Sequence, residues 1–109
     1  MHRLLAAHPD LDGVFVASDL MAAAAMVELQ AGGRRVPEDV ALVGFDDLPL
    51  ADLLQPGVTV MAQDPARIGT LAAERLFDRL GGSSGPEETL VVPATLVRRG
   101  SGEIAPPGR

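Results

Sequence analysis

The stretch VALVGFDDLP, residues 40–49, runs six apolar or glycine residues straight into two carboxylates and a turn. Val40 to Phe45 has the length and β-branched content of a strand buried on both faces. A carboxylate cannot follow such a strand into a core, because desolvating it without a partner costs several kcal/mol. Asp46 and Asp47 therefore mark an edge of the sheet, where water or a ligand meets the chain.

The segments on either side supply that sheet. Val14 to Ala17 reads as a short strand. Ser18 or Asp19 then caps a helix, LMAAAAMVELQAGG, built of strong helix formers and ended by Gly32-Gly33. Strand, helix and strand make a βαβ unit, whose strands should be parallel and covered on both faces. A short helical LPLADLL follows, then a break at Gln55-Pro56-Gly57 and a third strand, Val58 to Met61. Asp64-Pro65 starts a helix that runs to about Leu80, with proline at a position where its missing N–H costs nothing. Ile68, Leu71, Ala72, Leu76 and Leu80 recur at helical steps and should form a buried stripe. Residues 81–86 form a loop. Thr89–Val92 and Ala94–Val97 read as strands interrupted at Pro93, and residues 100–109 read as a disordered tail. At its start, residues 2–7 read as the last turn of a helix. The expected fold is an α/β three-layer sandwich with a mostly parallel sheet.

Composition removes several functions. The 109 residues carry a net charge of −6, and all nine basic residues are Arg, so this chain has no field with which to grip DNA by itself. The absence of Lys excludes Schiff-base and phosphate-loop lysines. With no Cys there are no disulfides or thiolate sites, which fits a cytoplasmic protein. Nothing approaches the run of about 18 apolar residues of a membrane span, and MHRLLAAHPD is too short in apolar residues for a signal peptide. An Asp46-Asp47 acid–base pair would need a base, Lys or metal beside it. The histidines, His2 and His8, lie at the start of the chain. No enzyme, cofactor or metal site is expected.

Ligands of open parallel sheets bind beyond the carboxyl ends of the strands. Here those ends are Ser18-Asp19, Asp46-Asp47 and Gln63-Asp64. Asp19 and Asp64 are explained as helix caps, and Asp47 is placed to cap the short helix. Asp46 has no such duty, and a ligand rich in hydroxyl or N–H donors would satisfy it at about 1.5–3 kcal/mol per charge-assisted bond.

The segments SDLMA (18–22), GGRRVPEDVALVGFDD (32–47), QPGVTVMAQD (55–64), IGTLAAERL (68–76) and LVVPATLVRRGS (90–101) together resemble the C-terminal part of the effector domain of LacI/GalR-family bacterial repressors. Thr59-Val60 stands where the family usually has Thr-Thr. The resemblance implies a partial periplasmic-binding-protein-like type I domain, over residues 1–99, in which two α/β lobes hinge around a small sugar-like or nucleoside-like effector. The second-lobe core would span residues 9–62, the crossover helix 64–80 and the returning strands 89–98. It implies ligand contacts at Asp46, Ser18 and Gln63. It also implies a homodimer surface at Met21, Ala22, Ala25 and Met26 and at Asp52, Leu53 and Leu54, although a Met and Ala stripe also reads as plain core. Operator DNA would be held by a separate head that this chain lacks. Any aromatic ring stacking on a sugar would come from residues outside it, since Phe45 alternates away from Asp46. A transporter's sugar-binding protein shares the fold, and a fragment without independent activity is a further reading. With half its lobe contacts absent, the chain is expected to self-associate.

Overall fold

The computed structural model describes residues 1–104. In chain order it contains α1 (His2–Ala7), β1 (Gly13–Val16), α2 (Asp19–Ala31), β2 (Ala41–Phe45), a 3-10 turn (Ala51–Leu53), β3 (Thr59–Ala62), α3 (Pro65–Leu80) and β4 (Thr95–Val97). The sheet order is β1-β2-β3-β4. β1 and β2 pair in parallel with Val16 opposite Gly44, and β2 and β3 pair in parallel with Phe45 opposite Met61. The expected βαβ unit is present. The chain divides into two compact units, residues 1–62 with 96 onward, and residues 63–95.

In the first unit, alternation sends Val14, Val16, Leu42, Gly44 and Val60 to one face of the sheet, and α2 lies on that face. Its buried side is Ala22, Ala25, Met26 and Leu29. The helix approaches so closely that a Cβ on Gly44 would stand 3.1 Å from Ala22 Cβ and 3.2 Å from Val60 Cγ1, so any larger residue would have to push these neighbours back by a few tenths of an ångström. Val36, Val40, Ala51 and Val58 complete the core. The loop feeding β2 is held by Asp39, which accepts the Arg35 N–H at 2.8 Å and both arms of its guanidinium fork. These bonds hold the Asp39 carboxyl down to about 2, below its ordinary range.

The opposite face corrects the expectation of a sheet covered on both sides. Phe15 is 59% exposed and packs edge-to-face on Phe45, ring centroids 6.4 Å apart. The segment around Gly100–Glu103 presses onto this face. A Cβ on Gly102 would come within 2.8 Å of Val43 Cγ2.

That segment also corrects the disordered tail. Ser101 is fully buried and completes the ladder where β2 and β3 diverge. Its hydroxyl accepts the Thr59 N–H at 2.8 Å and donates to the Leu42 carbonyl at 2.6 Å. Its own N–H donates to the Gly57 carbonyl, and its carbonyl accepts the Leu42 N–H. Glu103 then accepts from the Thr59 hydroxyl and the Gly100 N–H. A small side chain with one donor and one acceptor replaces a missing strand residue, a role composition does not reveal. The remainder of the expected tail, 105–109, lies outside the described residues.

In the second unit, the Asp64 side chain accepts the Arg67 N–H at 2.8 Å and Pro65 opens α3, as the sequence implies. The expected buried stripe is not buried. No residue of α3 is, and Leu76, Phe77 and Leu80 are well exposed. Residues 89–92 form no strand. Leu90, Val91 and Val92 instead line, with Ile68, Leu71 and Ala72, a groove of about 540 Å³, and Arg75 pairs with Glu88 across 2.8 Å beside it. Strand geometry needs a neighbouring strand to satisfy its backbone, and these residues have a helix face instead.

Replacing Ser101 by Ala strands a buried N–H at Thr59 and a buried carbonyl at Leu42. Each unsatisfied group costs about 1–3 kcal/mol. Urea unfolding of Ser101→Ala should show a loss of at least about 2 kcal/mol; an unchanged midpoint would contradict this role.

Candidate functional site

The parallel registers bring the carboxyl ends of β1 and β2 to one rim. Ser18 lies two residues past Val16, and Asp46 two past its partner Gly44. Ser18 is the N-cap of α2, yet its side chain makes no capping bond. Its hydroxyl reaches only Asp19 Oδ1, at a long 3.4 Å. Asp19 accepts the Leu20 N–H at 2.7 Å and so serves the helix start, in line with its expected structural role. The Ser18 hydroxyl, half-buried at this rim, is not consumed by the helix.

Asp46 is the sole non-glycine residue with positive φ among those described, at 70°. An L side chain there costs about 1–2 kcal/mol, and Asp is one of the few residue types that tolerates it. Such strain persists where the surroundings over-determine it, and it concentrates at ligand clamps. The Asp46 N–H donates to the Met61 carbonyl at 3.0 Å, so the β2–β3 ladder continues to the residue that turns. The half-buried carboxylate thus leaves the strand with a backbone fixed by the sheet.

Asp47 does not cap the short helix. That element is a single 3-10 turn whose N-cap is Leu50. The Asp47 carboxylate instead takes a bidentate fork from Arg99, Nη1 at 2.9 Å and Nη2 at 3.0 Å. The same guanidinium donates Nε to Asp52 at 2.6 Å and Nη1 to the Val58 carbonyl at 3.2 Å. Its side chain is only 13% exposed. The hydrogen bond to Asp47 raises the Arg99 pKa above its already high value, against the lowering effect of burial. From sequence, Arg99 is visible only as half of an Arg-Arg pair and as the first residue of an Arg-x-Ser motif.

Gln63 follows β3 directly and is exposed, as the first residue of the second unit. Among the residues expected at a dimer surface, Ala22, Ala25 and Met26 are buried against this chain's own sheet and cannot reach a partner. The plain-core reading holds for them, because positions 22, 25, 26 and 29 form the inner side of α2. Met21 is 64% exposed, Leu53 75% exposed, and Asp52 open; Leu54 is half-buried against the core. No group of three or more His, Cys, Asp or Glu among the described residues could hold a metal ion. No helix among them is long and apolar enough to cross a membrane.

The profile of periplasmic binding protein-like domains matches residues 1–102, so the chain, with its parallel α/β sheet, belongs to that family. Within it, the chain is the C-terminal part of a LacI/GalR-type effector domain. It is 45% identical over 102 residues to the HTH-type transcriptional regulator CelR of Thermobifida fusca, covering 94% of this chain and 30% of that protein. It is 38% identical over 88 residues to the ribose operon repressor of Haemophilus influenzae, covering 81% of this chain and 26% of the repressor. Among solved structures, a CelR–cellobiose complex superposes with a TM-score of 0.87 at 44% identity, over 93% of this chain and 31% of that one. A LacI family regulator from Arthrobacter sp. FB24 in complex with lactose gives 0.79 at 39% identity, over 93% and 38%. The chain therefore spans about a third of the length of these relatives.

The left-handed backbone at Asp46 makes a separable expectation about stability. Asp46→Gly should be about 1 kcal/mol more stable than Asp46→Ala in urea unfolding, since only the former removes the steric penalty. Equal stabilities would show that the turn is not strained.

Proposed function

We propose that this chain is the ligand-sensing and dimerising part of a LacI/GalR-type transcription regulator that binds a small neutral sugar. The observation that carries the reading is Asp46: a carboxylate on a strained turn, fixed by the β2–β3 ladder, at the rim where strands of this architecture receive ligands. A carboxylate accepts hydrogen bonds and donates none, so it selects ligands that present hydroxyl or N–H donors. Ser18 adds a hydroxyl two residues beyond β1. Gln63 enters the proposal on the family resemblance alone.

The charge of the rim narrows the ligand class. Asp46, Asp47 and Asp52 place three carboxylates near one another in the chain, and Arg99 is committed to two of them. Arg99, paired with Asp47 and Asp52, is not available to neutralise a phosphorylated or carboxylated effector, whereas a neutral polyol needs no such cation. The relatives solved in complex with cellobiose and lactose support this choice.

The regulator acts in the cytoplasm, catalyses nothing, and holds operator DNA through a separate head, since this chain has a net charge of −6. The dimer face reduces to Met21, Asp52 and Leu53, with Leu54 at its inner margin. Leu20 and Val27, exposed on the outward side of α2, extend it.

Two outcomes are expected. In the full-length regulator, Asp46→Asn should weaken binding of its sugar by about 10- to 100-fold, as lost charge-assisted bonds imply. Calorimetric titration with cellobiose, lactose and ribose tests this, and an Asp46→Asn protein that binds like the parent would remove Asp46 from the site. Leu53→Glu, an exposed change that should alter stability by no more than about 0.5 kcal/mol, should shift sedimentation from dimer to monomer. A dimer that survives it places the interface elsewhere.

A further inference from the structure

We infer that Arg99 is a positioning residue for Asp46, and that its guanidinium ties the ligand-facing turn to the segment bearing Leu53. This rests on the reading of Asp46 as a ligand contact, and it concerns how that carboxylate is held. The turn between β2 and the 3-10 segment is anchored at both ends. On its near side Phe45 is paired with Met61, and the Asp46 N–H bonds the Met61 carbonyl. On its far side the Asp47 carboxylate is gripped by two parallel N–H donors at 2.9 and 3.0 Å. A left-handed residue between two anchored neighbours has less freedom to relax. Loss of the fork would remove one of the restraints that oppose relaxation of the φ of 70°.

Arg99 can serve as the fixed point because it is itself immobilised. Its N–H donates to the Thr59 hydroxyl at 3.0 Å, its Nη1 to the Val58 carbonyl, and Ser101, two residues on, is sealed into the core. A bidentate, planar pair also fixes orientation as well as distance, which an ammonium cannot do. The two carboxylates are not equivalent. Asp47 is partly shielded, whereas the Asp52 side chain is 77% exposed, so water screens the second pair more strongly. The Asp47 fork carries the positioning. The Asp52 bond is the weaker extension that reaches the 3-10 turn and, through it, Leu53. A ligand that pulls on Asp46 would thereby act on the surface assigned to the dimer.

Amide hydrogen exchange on the intact chain reads this directly, and no sugar is needed. In Arg99→Lys and in Asp47→Asn, exchange at the Asp46 N–H should accelerate at least tenfold. Exchange at Ala51 and Leu53 should also accelerate, and Leu29 in α2 should be unaffected. Asp52→Asn should affect Ala51 and Leu53 but not Asp46. Acceleration at Leu29 equal to that at Asp46 would mean that Arg99 merely supports global stability, and an unchanged Asp46 in Asp47→Asn would overturn the inference even if Arg99→Lys failed to fold. In the full-length regulator, Asp47→Asn should also weaken cellobiose binding, with Asp46→Asn as the control. Should Asp46→Asn leave cellobiose binding intact, the assignment of the site fails while the exchange data still judge the clamp.

Discussion

The start of the β2–β3 pair in this chain depends on one side chain, the hydroxyl of Ser101. β2 and β3 are parallel, and their ladder starts only at Val43 and Thr59. At that start, the Leu42 carbonyl and the Thr59 N–H are bridged by the Ser101 hydroxyl. Ser101 accepts one and donates to the other, while its own backbone bonds Leu42 and Gly57. A residue more than forty positions along the chain thereby becomes part of the strand pair. Unpaired groups at this depth each cost about as much as a large fraction of a small domain's net stability. The carboxyl-terminal segment is thus a structural member of the sheet and not an appendage to it.

That anchoring explains the rim. Because Ser101 is fixed, Arg99 is fixed, and because Arg99 is fixed, Asp47 and Asp52 have a rigid cation to meet. Asp46 can then sit with an unfavourable backbone and keep one orientation. The strain at Asp46 and the burial at Ser101 are two ends of one arrangement. In the role proposed for Asp46, a preorganised carboxylate would lose little conformational freedom when a ligand arrives.

The same chain leaves much apolar surface uncovered. On α2 the split is sharp: the side containing Ala22 and Met26 is core, and the side containing Leu20, Met21 and Val27 is open. The helix is apolar nearly all round, which in a globular protein marks a helix covered on both sides. In the second unit α3 shows no buried residue at all.

What the sequence determined by itself was local and periodic. The strand ending at Phe45, the proline start of α3 at Asp64-Pro65, the parallel βαβ unit and the polar rim all follow from side-chain chemistry within a few positions. The resemblance in the motifs named the family, and the profile match and the relatives bear that out. Tertiary structure alone decided the remainder. Whether Ala25 or Met26 faces a core or a partner depends on which side of α2 meets the sheet, and an all-apolar helix carries no pattern that says so. Thr89–Val92 has strand composition but lies against a helix, because a strand exists only where another strand can satisfy its backbone. The partnership of Arg99 with Asp47 spans 52 residues of chain, and that of Ser101 with Leu42 spans 59. Neither leaves a local signature, since a hydrogen bond depends on position in space and spacing along the chain records only the nearest part of it.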